Sequence, residues 1–266
     1  MIHYTAGTPT WVELRSPDVE ASVAFYRELF GWKASEEKPS SDARIFSSGG
    51  EIVSGIRPLQ GTQLSPQWIT YVSTNDEAQT VSRAQNADAT VLTETGRDEA
   101  MGMILLQDPE GTMFGVFQND LFGGAQAFNQ PISLSFNFLM TRQLHAAKSF
   151  YSRVFGWEPR DREIGGMAFT YFFHGVRGVA GVMAMNERWP HATPSHWQVS
   201  FAVEDADALA SRAVELGGKA QSVITTPFGR SALLIDPHGA TFSIIQQTPQ
   251  VRAAARTPEG VLADLV

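Results

Sequence analysis

Two stretches of this chain match each other in the same order, and that repetition limits the folds open to it more than any other feature. WVELRSPDVEASVAFYRELFGW, from Trp11 to Trp32, matches FNFLMTRQLHAAKSFYSRVFGW, from Phe136 to Trp157, 125 residues downstream. LLQDPEGTMFGVFQ (105–118) matches LLIDPHGATFSIIQ (233–246), 128 residues downstream. Two long blocks kept in register mean two copies of one unit, each of ordinary domain size. The repeat predicts domains at 7–121 and 131–248, a connection at 122–130 and a C-terminal tail at 249–266.

Each copy has a readable internal order. Residues 10–15 alternate as a half-buried strand, and Pro17-Asp18 starts a helix whose apolar side holds Val19, Val23, Tyr26 and Leu29. Gly31 falls where a left-handed C-terminal residue is useful. The second copy repeats this with a helix over 143–155 and Gly156 after it. Short strands are predicted at 43–47, 52–57, 168–173 and 178–185, with Gly49-Gly50 and His174-Gly175 as hairpin turns. The later part of each copy reads the same way: strands at 68–73 and 197–203, helices at 76–86 and 206–216, then strand pairs around DPEG and DPHG turns. Each domain is therefore strand-helix-strand-strand-strand, twice, in an α+β fold.

The 266 residues contain no cysteine, which removes disulfides and thiolate chemistry. With 43% hydrophobic residues the chain can bury a full core. A net charge of -8 disfavours nucleic acid as a partner. The first residues do not read as a signal peptide, and no apolar stretch has the length of a membrane span. The expectation is a cytoplasmic protein with no membrane partner, either monomer or homodimer. Phosphate-binding glycine loops and nucleophile elbows are absent from the sequence.

FYRELFGW and FYSRVFGW after the first strands, with DPEG and DPHG before the last, make the chain resemble the vicinal oxygen chelate superfamily. That superfamily holds glyoxalase I, extradiol dioxygenases, fosfomycin resistance enzymes and bleomycin-binding proteins. The tandem arrangement is similar to an actinobacterial glyoxalase-like or hydroxylase-labelled subgroup. The resemblance covers nearly all of residues 8–247. It implies paired βαβββ modules in each domain, whose mixed sheet curls around a ligand cleft. It also implies a metal held by residues of the first, fifth and eighth strands, usually two His and a Glu. Here those positions fall at Trp11 and Phe136, at Trp68 and Gln198, and at Gly115 and Ser243. Aromatic rings and bare backbone cannot replace imidazole or carboxylate donors, so the expectation is no metal and no cofactor.

What remains at the clefts is aromatic and neutral. Trp11, Trp68, Phe136, Phe138, Met183, Met185, Gln198 and Ser243 are the candidate ligand-binding residues. Glu13, His196 and Tyr171 are the candidate proton-transfer groups. The mixture of apolar wall and neutral hydrogen-bonding groups favours the second domain over the first. The function expected is metal-independent binding of a small hydrophobic or aromatic metabolite, in secondary metabolism or drug sequestration. Two alternatives stand beside it: a metal-independent lyase, isomerase, cyclase or hydroxylase-like enzyme, and a ligand-free scaffold.

Overall fold

A computed structural model describes residues 4–36, 42–59, 65–92, 102–164, 167–187 and 189–254. The first sheet is built from Pro9–Ser16 (β1), Lys33–Ala34 (β2), Arg44–Ser48 (β3), Glu51–Pro58 (β4), Gln67–Thr74 (β5), Thr90–Val91 (β6), Met103–Gln107 (β7) and Met113–Gln118 (β8). Helices Val19–Phe30 (α1) and Glu77–Gln85 (α2) follow β1 and β5. The second sheet holds Ser133–Thr141 (β9), Glu158–Ile164 (β10), Met167–His174 (β11), Arg177–Ala184 (β12), His196–Ala202 (β13), Lys219–Thr226 (β14), Gly229–Ile235 (β15) and Thr241–Gln247 (β16). Its helices are Leu144–Phe155 (α3) and Ala206–Glu215 (α4); a short helix, Pro249–Ala254 (α5), follows β16.

The two sheets share one strand order, β2-β3-β4-β1-β5-β8-β7-β6 and β10-β11-β12-β9-β13-β16-β15-β14. The central pairs β1–β5 and β9–β13 are antiparallel, and each is flanked by parallel neighbours. Two βαβββ modules therefore meet at the middle of each sheet. The sequence patterns locate every strand except β2, β6, β10 and β14. These four lie at sheet edges, where β10 (EPRDREI) and β14 (KAQSVITT) lack a buried face to impose alternation. Asp18, Asp76 and Asp205 cap α1, α2 and α4 by accepting from a backbone N–H three residues on. Among the described residues no helix is long and apolar enough to cross a membrane.

The helices lie between the outer faces of the two sheets, and the packing is diagonal. One core joins α1, Val12, Leu14 and Trp68 of the first domain to α4, Val199, Phe201, Phe242 and Ile244 of the second. The other joins Val72, Ala84, Phe114 and Val116 to α3, Leu139, Phe172 and Trp197. Each core thus takes the first helix of one domain and the second helix of the other.

This explains the repeated motifs. Tyr26 donates to Asp236 Oδ2 of the second domain (3.1 Å) and accepts from Trp68 Nε1 (3.1 Å). Tyr151 donates in turn to Asp108 Oδ2 of the first domain (3.1 Å) and accepts from Trp197 Nε1 (3.0 Å). The other oxygen of each aspartate accepts two backbone N–H groups of its own DPxG turn. Burial holds both aspartates above the usual carboxylate range, against the pull of these hydrogen bonds. Trp32 and Trp157, which end the FGW motifs, donate across the interface to the Ile132 and Gly7 carbonyls. Tyr26→Phe strands a buried indole N–H and removes a donor from a buried carboxyl. It should cost about 2–4 kcal/mol in urea unfolding, and Tyr151→Phe should add to it because the two tyrosines share no partner.

Candidate functional site

Strand register defines a row of three residues across the inner face of each sheet, away from the helices. In the first domain Trp11 pairs with Tyr71, and Tyr71 with Gly115. In the second, Phe136 pairs with Ser200, and Ser200 with Ser243. The fifth-strand members correct the sequence expectation. Trp68 packs on the outer face against Tyr26, so it does not converge on Trp11. Gln198 is on the inner face, but it pairs with Phe138, one row along.

These rows do not fit a divalent cation. They offer an indole, a phenyl ring, two serine hydroxyls, a phenol already bonded to Glu13, and a glycine. Such an ion needs three or more strong nitrogen or oxygen donors. Among the described residues no three His, Asp or Glu side chains group closely enough to hold one.

Among the described residues, side chains pack across the middle of the first-domain inner face. The Tyr71 ring lies directly on Gly115, where even a Cβ would overlap it. Trp11 lies in the same way over Gly55, whose added Cβ would come within 2.8 Å of the indole. Phe122, from the connection between domains, meets Trp11 edge-on at 4.7 Å. Glu13 is 1% exposed and is held by Arg15 (2.9 Å), Arg57 (2.8 Å) and the Tyr71 hydroxyl (3.2 Å). Arg57 also reaches Asp42. Glu13 is thus held on both carboxyl oxygens within a buried polar network, rather than lying open in the cleft. Arg15 and Arg57, absent from the sequence candidates, complete the set; Arg15, two residues along the same strand face, was the available signal.

The second domain carries different residues at the same places. Phe138 takes the position of Glu13, Met140 that of Arg15 and Met183 that of Arg57. Ser200 and Ser243 replace Tyr71 and Gly115. A pocket opens beside Ser200, while Ser243, its partner in register, does not line it. The pocket is a half-open recess with a cavity volume of about 50 Å³, lined by Phe136, Phe138, Tyr171, Ser200, Phe228 and Gln247 among others. Phe136 and Phe138 meet edge-on at 4.9 Å, and Phe136 and Tyr171 at 6.3 Å. Gly181 under Phe138 repeats the Gly55–Trp11 approach. Tyr171 is buried and its hydroxyl has no hydrogen-bond partner. Burial pushes its pKa well up, so it keeps its proton and remains a donor.

Met183 packs beside Phe136, Phe138 and Tyr171. Met185 falls past the end of β12, where its N–H donates to the Thr141 carbonyl (2.8 Å). His196 stands at the start of β13 with Nδ1 2.9 Å from the Pro194 carbonyl and its ring near Trp189. Burial lowers its pKa below the usual value, opposed by hydrogen bonds to Pro194 and Gln198; it does not line the pocket. Ser200, Phe228 and Gln247 line the pocket without having been singled out from sequence. Only the three-strand register identifies Ser200, and Phe228 comes from the β14–β15 turn.

The chain belongs to the family of glyoxalase-like domains, whose model matches residues 11–117 and 136–245. It is 33% identical to the anthracycline biosynthesis protein DnrV of Streptomyces peucetius, over 96% of this chain and 98% of that one. It is 32% identical to the putative glyoxylase CFP32 of Mycobacterium bovis, over 93% and 97%. Its fold is similar to the Mn(II)-bound glyoxalase of Novosphingobium aromaticivorans, with a TM-score of 0.64 and 15% identity over 91% of this chain and 82% of that one. The 2,3-dioxygenase LapB of Pseudomonas sp. KL28 superposes with a TM-score of 0.61 and 13% identity over all of both chains.

Proposed function

We propose that this protein binds a small hydrophobic, aromatic molecule in the second-domain cleft without a metal, while the first domain serves as a filled, structural copy. One observation carries this reading: at matched positions Tyr71 lies over Gly115 in the first domain, and Ser200 lines an open pocket in the second. The open cleft is walled by phenyl rings and aliphatic side chains, with few polar groups, as expected of a small-molecule site. A cavity volume of about 50 Å³ at its floor takes only a substituent of a ligand. The ring of a ligand therefore sits in the recess against Phe136, Phe138 and Phe228. The names of two Streptomyces relatives refer to anthracycline biosynthesis, which supports a place in secondary metabolism.

The test converts the second cleft to the first. Ser200→Tyr with Ser243→Gly reproduces the ring-on-glycine arrangement. Native mass spectrometry of gently isolated wild-type protein should show a bound organic molecule at one per chain, and the double variant should show none while remaining folded. Binding should persist in EDTA. A stoichiometric transition metal in the wild type, or equal ligand occupancy in the variant, would oppose the proposal.

A further inference from the structure

The polar groups of the second-domain pocket are few and complementary, and they specify more than an apolar ligand. Among the described residues, none that lines the pocket carries a charge. Taking an ionised group into such a space without a counter-charge is costly, so the site disfavours acids and amines. Tyr171 brings a hydroxyl that is buried and without a partner. A buried donor of this kind costs free energy until an acceptor meets it. A ligand oxygen seated in the recess would supply that acceptor.

Gln247 brings the opposite polarity. Its Nε2 donates to Asn129 Oδ1 (2.9 Å) and to Ser135 Oγ (2.9 Å), and Ser135 Oγ donates to Asn129 Oδ1 as well (2.9 Å). Both amide hydrogens are therefore used. The carbonyl oxygen is what Gln247 has left to offer the pocket it lines, and it accepts. Gln247 is buried, and the Asn129–Ser135 network fixes which way its amide points. A donor at Tyr171 and an acceptor at Gln247 thus flank one aromatic recess.

Resting on the aromatic-site reading above, we infer that the ligand is an uncharged aromatic compound carrying both a carbonyl and a hydroxyl group, the carbonyl accepting from Tyr171 and the hydroxyl donating to Gln247. Such a molecule satisfies both groups of the pocket at once. A plain hydrocarbon of the same shape leaves both without partners.

Four neutral probes of one shape test this by calorimetry: naphthalene, acetylnaphthalene, naphthol, and a hydroxyacetylnaphthalene with its groups on different rings. Naphthoate serves as the charged control. Affinity should rise about fivefold to tenfold for the carbonyl and again for the hydroxyl, as expected of single hydrogen bonds made in a dry site. Tyr171→Phe should erase the carbonyl increment and Gln247→Met the hydroxyl increment. Each increment is read as a ratio to naphthalene within the same variant, so a general change in the pocket cancels, and both variants should keep the wild-type circular dichroism spectrum. Equal affinity for all four neutral probes would overturn this inference and leave the hydrophobic site standing. Tighter binding of naphthoate than of acetylnaphthalene would also overturn it. Failure of every probe would sink the aromatic-site reading together with it.

Discussion

Gly115→Ser should leave the first domain unable to fold around its present core. The added Cβ falls inside the Tyr71 ring, and that ring has nowhere to go. Tyr71 is fully buried, its hydroxyl is tied to Glu13 and Arg15, and the surrounding cluster holds Trp11, Ile69, Met103, Leu105 and Phe117. Overpacking of this kind costs about 1–3 kcal/mol when a neighbour can shift and more when it cannot. A loss above about 4 kcal/mol is expected here, read as a drop in the urea midpoint or as insoluble expression. Joining it with Tyr71→Ser removes the obstacle and copies the second domain, so the pair should recover most of the lost stability. The reverse outcome, a single variant as stable as wild type, would mean that the ring does not lie where the structure puts it.

The second large effect is expected at Glu13. Glu13→Ala removes the carboxylate that faces two buried guanidiniums and leaves Arg15 with only the Tyr71 hydroxyl among its hydrogen-bonded partners here. Breaking a buried ion pair from one side costs about 3–5 kcal/mol, because the remaining charge is stranded. Replacing the whole network is a different matter. The second domain holds Phe138, Met140 and Met183 at these places, so the triple variant Glu13→Phe, Arg15→Met, Arg57→Met exchanges ions for a packing already used in the same chain. It should be more stable than Glu13→Ala alone, since well-packed apolar groups often equal or exceed a buried ion pair. Chemical denaturation of the two variants side by side decides the matter. A triple variant weaker than the single one would show that the charges do more than fill space.

Much of this architecture was legible in the residues. The duplicated blocks, the capping aspartates and the DPxG turns are local signals, and they place the helices and central strands directly. The glycines after α1 and α3 have φ near 72° and 73°, the left-handed end that the pattern predicts. The face of β5 was not legible. QWITYVST is apolar on both sides, because its outer residues join the helix core while its inner ones fill the cleft, so alternation carries no sign there. Counting from family positions then put Trp68 on the wrong side. Tyr26 could be read as part of an apolar helix stripe, but its partner Asp236 lies 210 residues away. Nor does any local pattern say that Glu13 will meet Arg57, 44 residues on. The unpaired state of Tyr171 depends on everything around it, and only coordinates reveal it.

The diagonal cores put the repeated motifs on the convex sides of the two sheets, so assembly of the tandem pair makes no demand on what fills either hollow. The inner residues of the two domains could therefore diverge, as Tyr71 and Gly115 against Ser200 and Ser243 show. Residues within a cavity can be exchanged as sets, Tyr71 with Gly115 or Ser200 with Ser243, while the Tyr–Asp clasps across the seam hold the molecule together.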